Sequence, residues 1–281
     1  MTISAPTLNP LNVAVVQLCS TEDVAWNLDT IETQVRAASE AGASVVALPE
    51  NAAYLRTHAT AEAPVQTAEG AIVSRFRAIA EAAQVWLHVG SFHETSPDPK
   101  RHYNTSLVID GTTGGAPITA SYRKLHLFDI DVKGSESQRE SDYFIPGEDV
   151  VCTSVAGVKT GLSICYDLRF PGMYQQLVQQ GARLLTVPAA FTEFTGKDHW
   201  TILLRARAIE TQTFVVAAGQ WGAHGGKRRS YGKSTIVDPW GIPLCTAPDG
   251  IGWAMARLDF EAQDRIRASL PCLQHRHLAV D

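Results

Sequence analysis

Three side chains have the types needed for nucleophilic catalysis: the thiol of Cys165, the carboxylate of Glu50 and the ammonium of Lys124. Cys165 ends the apolar run Gly161-Leu162-Ser163-Ile164. A Pro171-Gly172 step and a helical pattern over 173–180 follow at once, which places the sulfur at a strand-to-helix elbow. A backbone turning sharply there holds a side chain outward and aims the following N–H groups at whatever the sulfur attacks. The competing reading is a buried core thiol, because free cysteine is among the most buried residue types. Glu50 follows Val45-Val46-Ala47-Leu48-Pro49, and Lys124 comes after Tyr122-Arg123 at the end of another apolar run. Taken singly, each reads as a solvated loop charge. In an open α/β sheet, however, sites are built at the carboxyl ends of strands, so three such ends can converge on one pocket.

The elements that must position these groups alternate along the chain. Residues 11–18 form a Val-rich apolar run, 23–41 carry Val24, Leu28, Ile31, Val35 and Ala38 at helical spacing, and 44–48 form a second buried strand. The spacing predicts a helix over 72–83 and strands over 85–92, 105–110 and 118–125. The segment 128–147 is charged, irregular and too long for a casual turn, which marks it as functional. A hairpin over 151–155 and 159–165, a strand at 183–187, a helix from about 197 to 212 and a strand at 213–218 follow. Strands at 234–237, 243–246 and 253–258 and a helix at 261–270 complete the pattern, while 219–230 carries no readable structure. No repeat, linker or composition shift divides the chain. It reads as a single domain over 1–281, with a core of about 11–270 and a surface tail at 271–281.

The 281 residues are 45% hydrophobic, ample for a sizeable core, and the net charge of −5 argues against a nucleic-acid partner. Residues 1–10 lack the charged start and apolar core of a signal peptide, and no run approaches the ~20 apolar residues that span a bilayer. A cytoplasmic protein with no membrane association is expected. The five cysteines are scattered and odd in number, so neither a disulfide framework nor a zinc site is indicated.

The segments Leu48-Pro49-Glu50, Arg123-Lys124-Leu125-His126-Leu127-Phe128-Asp129 and Ile164-Cys165-Tyr166-Asp167-Leu168-Arg169-Phe170-Pro171 resemble, in order, the three signature segments of the nitrilase superfamily of carbon-nitrogen hydrolases. The likeness extends to Pro188-Ala189-Ala190-Phe191, His199-Trp200, the 205–210 segment, Ser230-Tyr231-Gly232-Lys233-Ser234 and Val237-Asp238-Pro239-Trp240-Gly241. It implies an α/β fold, the four-layer α-β-β-α sandwich, with a Glu50-Lys124-Cys165 triad at one end of two stacked sheets. In that chemistry Glu50 is the general base for the thiol, and Lys124 with the Tyr166 N–H stabilises the oxyanion. A thioester on Cys165 is then hydrolysed, with no cofactor and no metal. The resemblance further implies a second carboxylate that steadies Lys124; the match is Glu140, with Glu136 as a nearby competitor.

Other positions stay open at this level. Arg169 either supports the elbow or grips a substrate carboxylate. Phe191 and Thr192 reach the pocket from a strand end, or Phe191 simply packs. Arg205, Arg207 and Glu210 form an internal ion pair. Lys227, Arg228 and Arg229 form a solvated face or attract an anionic substrate. The Cys165 motif resembles amidases acting on ω-amides of keto acids, and the 205–212 and 270–276 segments resemble the subgroup that acts on deaminated glutathione. A keto-acid ω-amidase is the neighbouring choice, and a catalytically silent scaffold of the same fold is the alternative from another class. Family members pair through helices on one face, including the one after the nucleophile. On that basis a homodimer or higher homo-oligomer is expected, with Met173, Tyr174, Leu177 and Val178 supplying apolar surface for the pairing.

Overall fold

The computed structural model describes residues 8–58, 60–131 and 138–277. Strand β1 (Leu11–Gln17), helix α1 (Val24–Glu40), strand β2 (Val45–Ala47), helix α2 (Ala71–Ala83) and strand β3 (Trp86–Glu94) alternate as the apolar spacing predicts. Asp23 starts α1 by accepting the Trp26 N–H at 3.0 Å, and Leu28, Ile31, Val35 and Ala38 turn inward from it. Strands β4 (Tyr103–Asp110) and β5 (Ile118–Arg123) follow. The 128–147 segment contains a small ladder of β6 (Asp129–Ile130) and β7 (Gln138–Arg139) and a 3-10 turn, Glu140–Asp142.

The second half supplies β8 (Cys152–Val155), β9 (Val158–Leu162), helix α3 (Pro171–Gln179), β10 (Leu184–Thr186), helix α4 (Glu193–Thr211) and β11 (Phe214–Ala217). A hairpin of β12 (Trp221–Gly225) and β13 (Arg228–Tyr231) comes next. Strands β14 (Thr235–Val237), β15 (Pro243–Thr246) and β16 (Gly252–Leu258) and helix α5 (Phe260–Ser269) end it. The strands form two six-stranded sheets, in the orders β16-β1-β2-β3-β4-β5 and β15-β14-β11-β10-β9-β8. Each has three adjacent parallel strands with antiparallel flanks.

Alternation along the first sheet shows the layering. Val13, Val15, Val45, Ala47 and Val108 face the second sheet, whereas Ala14, Val16, Val46, Leu48, Leu107 and Ile109 face α1 and α2. The second sheet packs its other side on α3 and α4, giving the α-β-β-α sandwich. A buried histidine bridges the sheets: His88 Nε2 on β3 is 2.9 Å from Ser106 Oγ in its own sheet and 3.2 Å from Thr186 Oγ1 on β10 of the other.

Two readings change. Met173, Tyr174 and Leu177 are buried in the chain's own core, and Val178 is half-buried, so α3 does not offer the apolar surface expected of it. Exposed apolar side chains of that layer belong to α4 and its neighbour loop and include Phe194, Ile202, Ile209, Trp240 and Ile242. Helix α4 also begins at Glu193 rather than near 197, because Thr192 caps it and its hydroxyl accepts the Thr195 N–H at 3.4 Å. Gly196 in its first turns exists for close packing, since a Cβ there would lie 2.4 Å from Tyr231 Cβ.

Candidate active site

Topology gathers the reactive groups. Strands β2 and β3 are parallel, and two antiparallel steps lead from β3 through β4 to β5, so β2 and β5 point the same way. Glu50 after β2 and Lys124 after β5 therefore emerge at one edge of the first sheet. Cys165 follows β9, and residues 189–192 follow β10, its parallel neighbour in the second sheet.

At that edge the Lys124 ammonium is 2.9 Å from Glu50 Oε1 and 2.8 Å from both oxygens of Glu140. Glu50 Oε1 also accepts from Asn104 Nδ2 at 2.9 Å, and Oε2 accepts the Ala190 N–H at 2.8 Å. The Cys165 thiol lines the same pocket and lies close enough to this carboxylate for its charge to act on the sulfur. Cys165 takes a left-handed backbone, φ 50°, at the head of a 3-10 turn spanning Cys165–Arg169. The first N–H groups of such a turn have no partner inside it, which leaves the Tyr166 N–H, next in the chain after the nucleophile, without a bond within the turn.

The elbow is fixed by a side chain that function-led reading of the motif passes over. Asp167, fully buried, accepts the Ile164 N–H at 2.8 Å, the Tyr122 hydroxyl at 2.6 Å and the His126 N–H at 3.1 Å. It thereby ties the nucleophile turn to the end of β5, where Lys124 sits. Arg207 adds a second brace, donating from Nε and Nη2 to the Leu168 carbonyl and from Nη1 to Glu210 at 2.8 Å. The ion pair read in the sequence is thus Arg207–Glu210, while Arg205 donates to the Gly241 carbonyl. Gln220 holds the Glu50 main chain, its Nε2 donating to the Glu50 carbonyl at 3.0 Å. Only position gives Asn104, Asp167 and Gln220 away: each is a polar residue inside an otherwise buried stretch.

Electrostatics divide the labour. Burial pushes the Glu50 carboxyl up, but the Lys124 charge and hydrogen bonds from Lys124 and Ala190 outweigh it, so Glu50 lies below the usual carboxylate value. Burial also raises Glu140, and the nearby Glu50 charge adds to that rise, so Glu140 stays up despite Lys124. Burial disfavours the Lys124 ammonium, yet Glu140 and then Glu50 more than compensate and hold it charged. The thiol is raised well above its ordinary value, first by burial and then by the Glu50 charge, so at rest Cys165 keeps its proton.

These groups open on a cavity of about 470 Å³. Glu50, Lys124, Glu140, Cys165, Tyr166, Phe191, Thr192, Lys227 and Arg228 all line it. Two of the candidate residues do not. Arg169 lies over the Phe191 ring at 5.0 Å and meets His199 at 3.2 Å, and Arg229 pairs with Glu193 at 2.6 Å on the outside. Glu136 lies outside the described residues. Among the described residues no group of His, Cys, Asp and Glu side chains is arranged to hold a metal. The wall also contains Arg56, Arg139, Tyr143 and His93, none of which the motifs single out.

The profile of the carbon-nitrogen hydrolase family matches residues 12–268. The deaminated glutathione amidases of Bos taurus and Yersinia enterocolitica are each 39% identical to this chain, over 94% of it and over 81% and 92% of their own lengths. Among solved structures, the NitFhit protein of C. elegans matches with a TM-score of 0.88 at 34% identity, covering 97% of this chain and 66% of that longer one.

Proposed function

The chain belongs to the carbon-nitrogen hydrolase family, and we propose that it is a cysteine-dependent amidase that cleaves the ω-amide of deaminated glutathione. The observation that carries the chemistry is the Lys124 ammonium clamped between Glu50 and Glu140 in the pocket that the Cys165 thiol also lines. The choice of substrate is supported by relatives of that name that align over almost the whole chain.

In this reading the resting pair is a thiol and a carboxylate, and the proton passes from Cys165 to Glu50 as sulfur attacks the amide carbonyl. In this scheme the oxyanion forms between the Lys124 ammonium and the Tyr166 N–H. Glu50 returns the proton to the departing amine, leaving a thioester on Cys165. It then takes a proton from the water that hydrolyses that thioester, and the acid and free thiol are released. Glu140 touches no reacting atom in this scheme and acts by holding Lys124. Tyr166, Phe191 and Thr192 shape the acyl pocket, and Arg169 acts through Phe191 rather than by direct contact.

Residues 11–270 are read as one hydrolase domain with a 271–281 tail, working as a cytoplasmic homodimer. Among the described residues no helix is long and apolar enough to cross a membrane. The deciding assay measures kcat/KM for deaminated glutathione, α-ketoglutaramate, glutamine and a simple nitrile. A nitrile preference overturns the amidase reading, and a preference for α-ketoglutaramate moves the assignment to ω-amidase. If Cys165 stays inert to iodoacetamide until denaturation and no amide is turned over, the chain is a silent scaffold.

A further inference from the structure

Two arginines of the cavity wall are held in an unusual way. Arg228 donates from Nη1 to the Arg56 carbonyl at 2.8 Å, and Arg56 lays its own guanidinium over the Tyr143 ring at 4.1 Å. Among the described residues neither makes an ion pair with a carboxylate, and Arg139, the third arginine of the wall, makes none either, whereas Arg229 just outside pairs with Glu193. Withdrawal from water weakens the hold of Arg228 on its proton. Its charge is drawn to Glu50, Glu140 and Cys165 and repelled by Arg56. Arg228, held by a neutral carbonyl, bears desolvation and the repulsion of the Arg56 guanidinium beside it, both of which a bound anion would relieve.

The wall carrying them is fixed in place. Glu22 Oε1 accepts the Thr57 N–H and hydroxyl, each at 2.7 Å, and the His58 N–H at 2.9 Å, which ties down the segment just after Arg56. These bonds hold the Glu22 carboxyl down to about 2. The β12–β13 turn packs directly on that segment. Gly225 has φ 133°, and a Cβ there would lie 3.3 Å from Thr57 Oγ1. Arg56 and Arg228 therefore come from two loops locked against each other at the cavity rim.

We propose that Arg56 and Arg228 form a carboxylate-binding subsite beside the Glu50, Lys124 and Cys165 cluster, by which the enzyme selects amides bearing an acid group over neutral amides. The proposal rests on the amidase reading. A guanidinium pair suits a carboxylate because its parallel N–H groups match the two oxygens. The acid can lie on the acyl side of the scissile bond or on the amine side, and four amides separate the cases. Butyramide carries no acid, α-ketoglutaramate carries one on the acyl side, butyryl-cysteinylglycine carries one on the amine side, and deaminated glutathione carries both.

For Arg56→Gln and Arg228→Gln, kcat/KM is expected to fall about 10- to 100-fold, mainly through KM, on the amides whose acid is held. That loss is expected to exceed the loss on butyramide at least tenfold, and Arg229→Gln, outside the cavity, should show no such discrimination. Losses shared by α-ketoglutaramate and deaminated glutathione place the acid on the acyl side, and losses shared by butyryl-cysteinylglycine and deaminated glutathione place it on the amine side. Equal losses on all four overturn the subsite. Calorimetric binding of α-ketoglutarate and of cysteinylglycine to Cys165→Ala protein needs no turnover. If no amide is hydrolysed but one of these binds and Arg228→Gln abolishes it, the subsite stands and the amidase reading falls. If neither binds at millimolar concentration, the subsite falls.

Discussion

Glu140 presents both of its carboxylate oxygens to the Lys124 ammonium, each at 2.8 Å, while its Oε2 accepts the Phe128 N–H at 2.6 Å. The lysine is thus held by a second carboxylate besides Glu50, one anchored on the 128–147 segment. A base and an electrophile that share one buried contact need a third group to keep them from collapsing into a closed pair, and Glu140 supplies it. Glu140→Gln is expected to lower kcat by about 10²- to 10³-fold, because an oxyanion donor that is free to move loses its preorganisation. The amide keeps the shape of the acid, so the melting temperature should change little. A near-normal kcat would remove Glu140 from the machinery.

Cys165→Ala should abolish turnover and leave the fold intact. The elbow has a positive φ, but cysteine and alanine both carry a Cβ, so the substitution adds no backbone strain. Cys19, Cys152, Cys245 and Cys272 lie outside the cavity lining and should each be replaceable with kcat/KM within about twofold of wild type. Residual turnover in Cys165→Ala, or comparable loss at any of the other four, would contradict the nucleophile assignment.

How far the sequence could be read depended on whether a position was controlled locally. The parallel strands and α1 and α2 were legible because apolar spacing is itself the cause of their burial. The Glu50, Lys124 and Cys165 strand ends were legible for the same reason. The 221–231 hairpin was not: Gly222, Gly225 and Gly226 interrupt any strand pattern, and the hairpin is held by packing against Thr57 and α4. Met173, Tyr174 and Leu177 have the spacing of an apolar stripe, but a stripe does not say which partner covers it, and here it is the chain's own core. Arg56 stands six residues after Glu50 in no motif, and only the turn that brings the 225–228 loop over it reveals a relation to Arg228.

Asp167 offers a sharper test of the elbow than the nucleophile does. Its carboxylate accepts four donors, the Ile164 N–H, the Tyr122 hydroxyl, the His126 N–H and the His126 ring Nδ1 at 2.7 Å, with none of its own to give, so Asp167→Asn must turn an NH₂ toward at least one N–H or hydroxyl. We expect a loss of about 2–4 kcal/mol in urea unfolding, together with a fall in kcat at low urea. Unchanged stability would mean that the turn is held by Arg207 alone.

Four buried histidines set the acid limit of the fold. Burial lowers His88 to about 3 and both His102 and His224 to about 4, and it holds His93 well below 6.5, helped by His102 and Arg56. All four stay neutral in the folded chain while the unfolded chain binds protons near 6.5. Their contribution is therefore complete above that pH and is lost progressively as pH falls toward 4, at up to about 1.4 kcal/mol per pH unit for each histidine. Urea midpoints at pH 8, 6.5, 5.5 and 4.5 should fall along this course, and His88→Gln should reduce the slope by about one proton. A stability that is flat from pH 7 to 4.5 would mean that the folded chain binds these protons.

Assembly can be tested on α4. Ile202 and Ile209 are 68% and 49% exposed, and Trp240 and Ile242 beside them are 56% and 52% exposed. Ile209 touches the Trp240–Ile242 turn, since a Cβ on Gly241 would lie 2.6 Å from Ile209 Cδ1, and Arg205 pins that turn through the Gly241 carbonyl at 2.7 Å. The side chains thus form one patch on a rigid base rather than scattered exposures, and a second copy of the chain can cover it by two-fold pairing. Sedimentation should find a dimer whose dissociation depends on concentration. Ile209→Arg, which puts a charge in the middle of the patch, should shift it to monomer without changing the monomer's fold. A wild-type chain that sediments as a monomer at every concentration would show that the patch has another use.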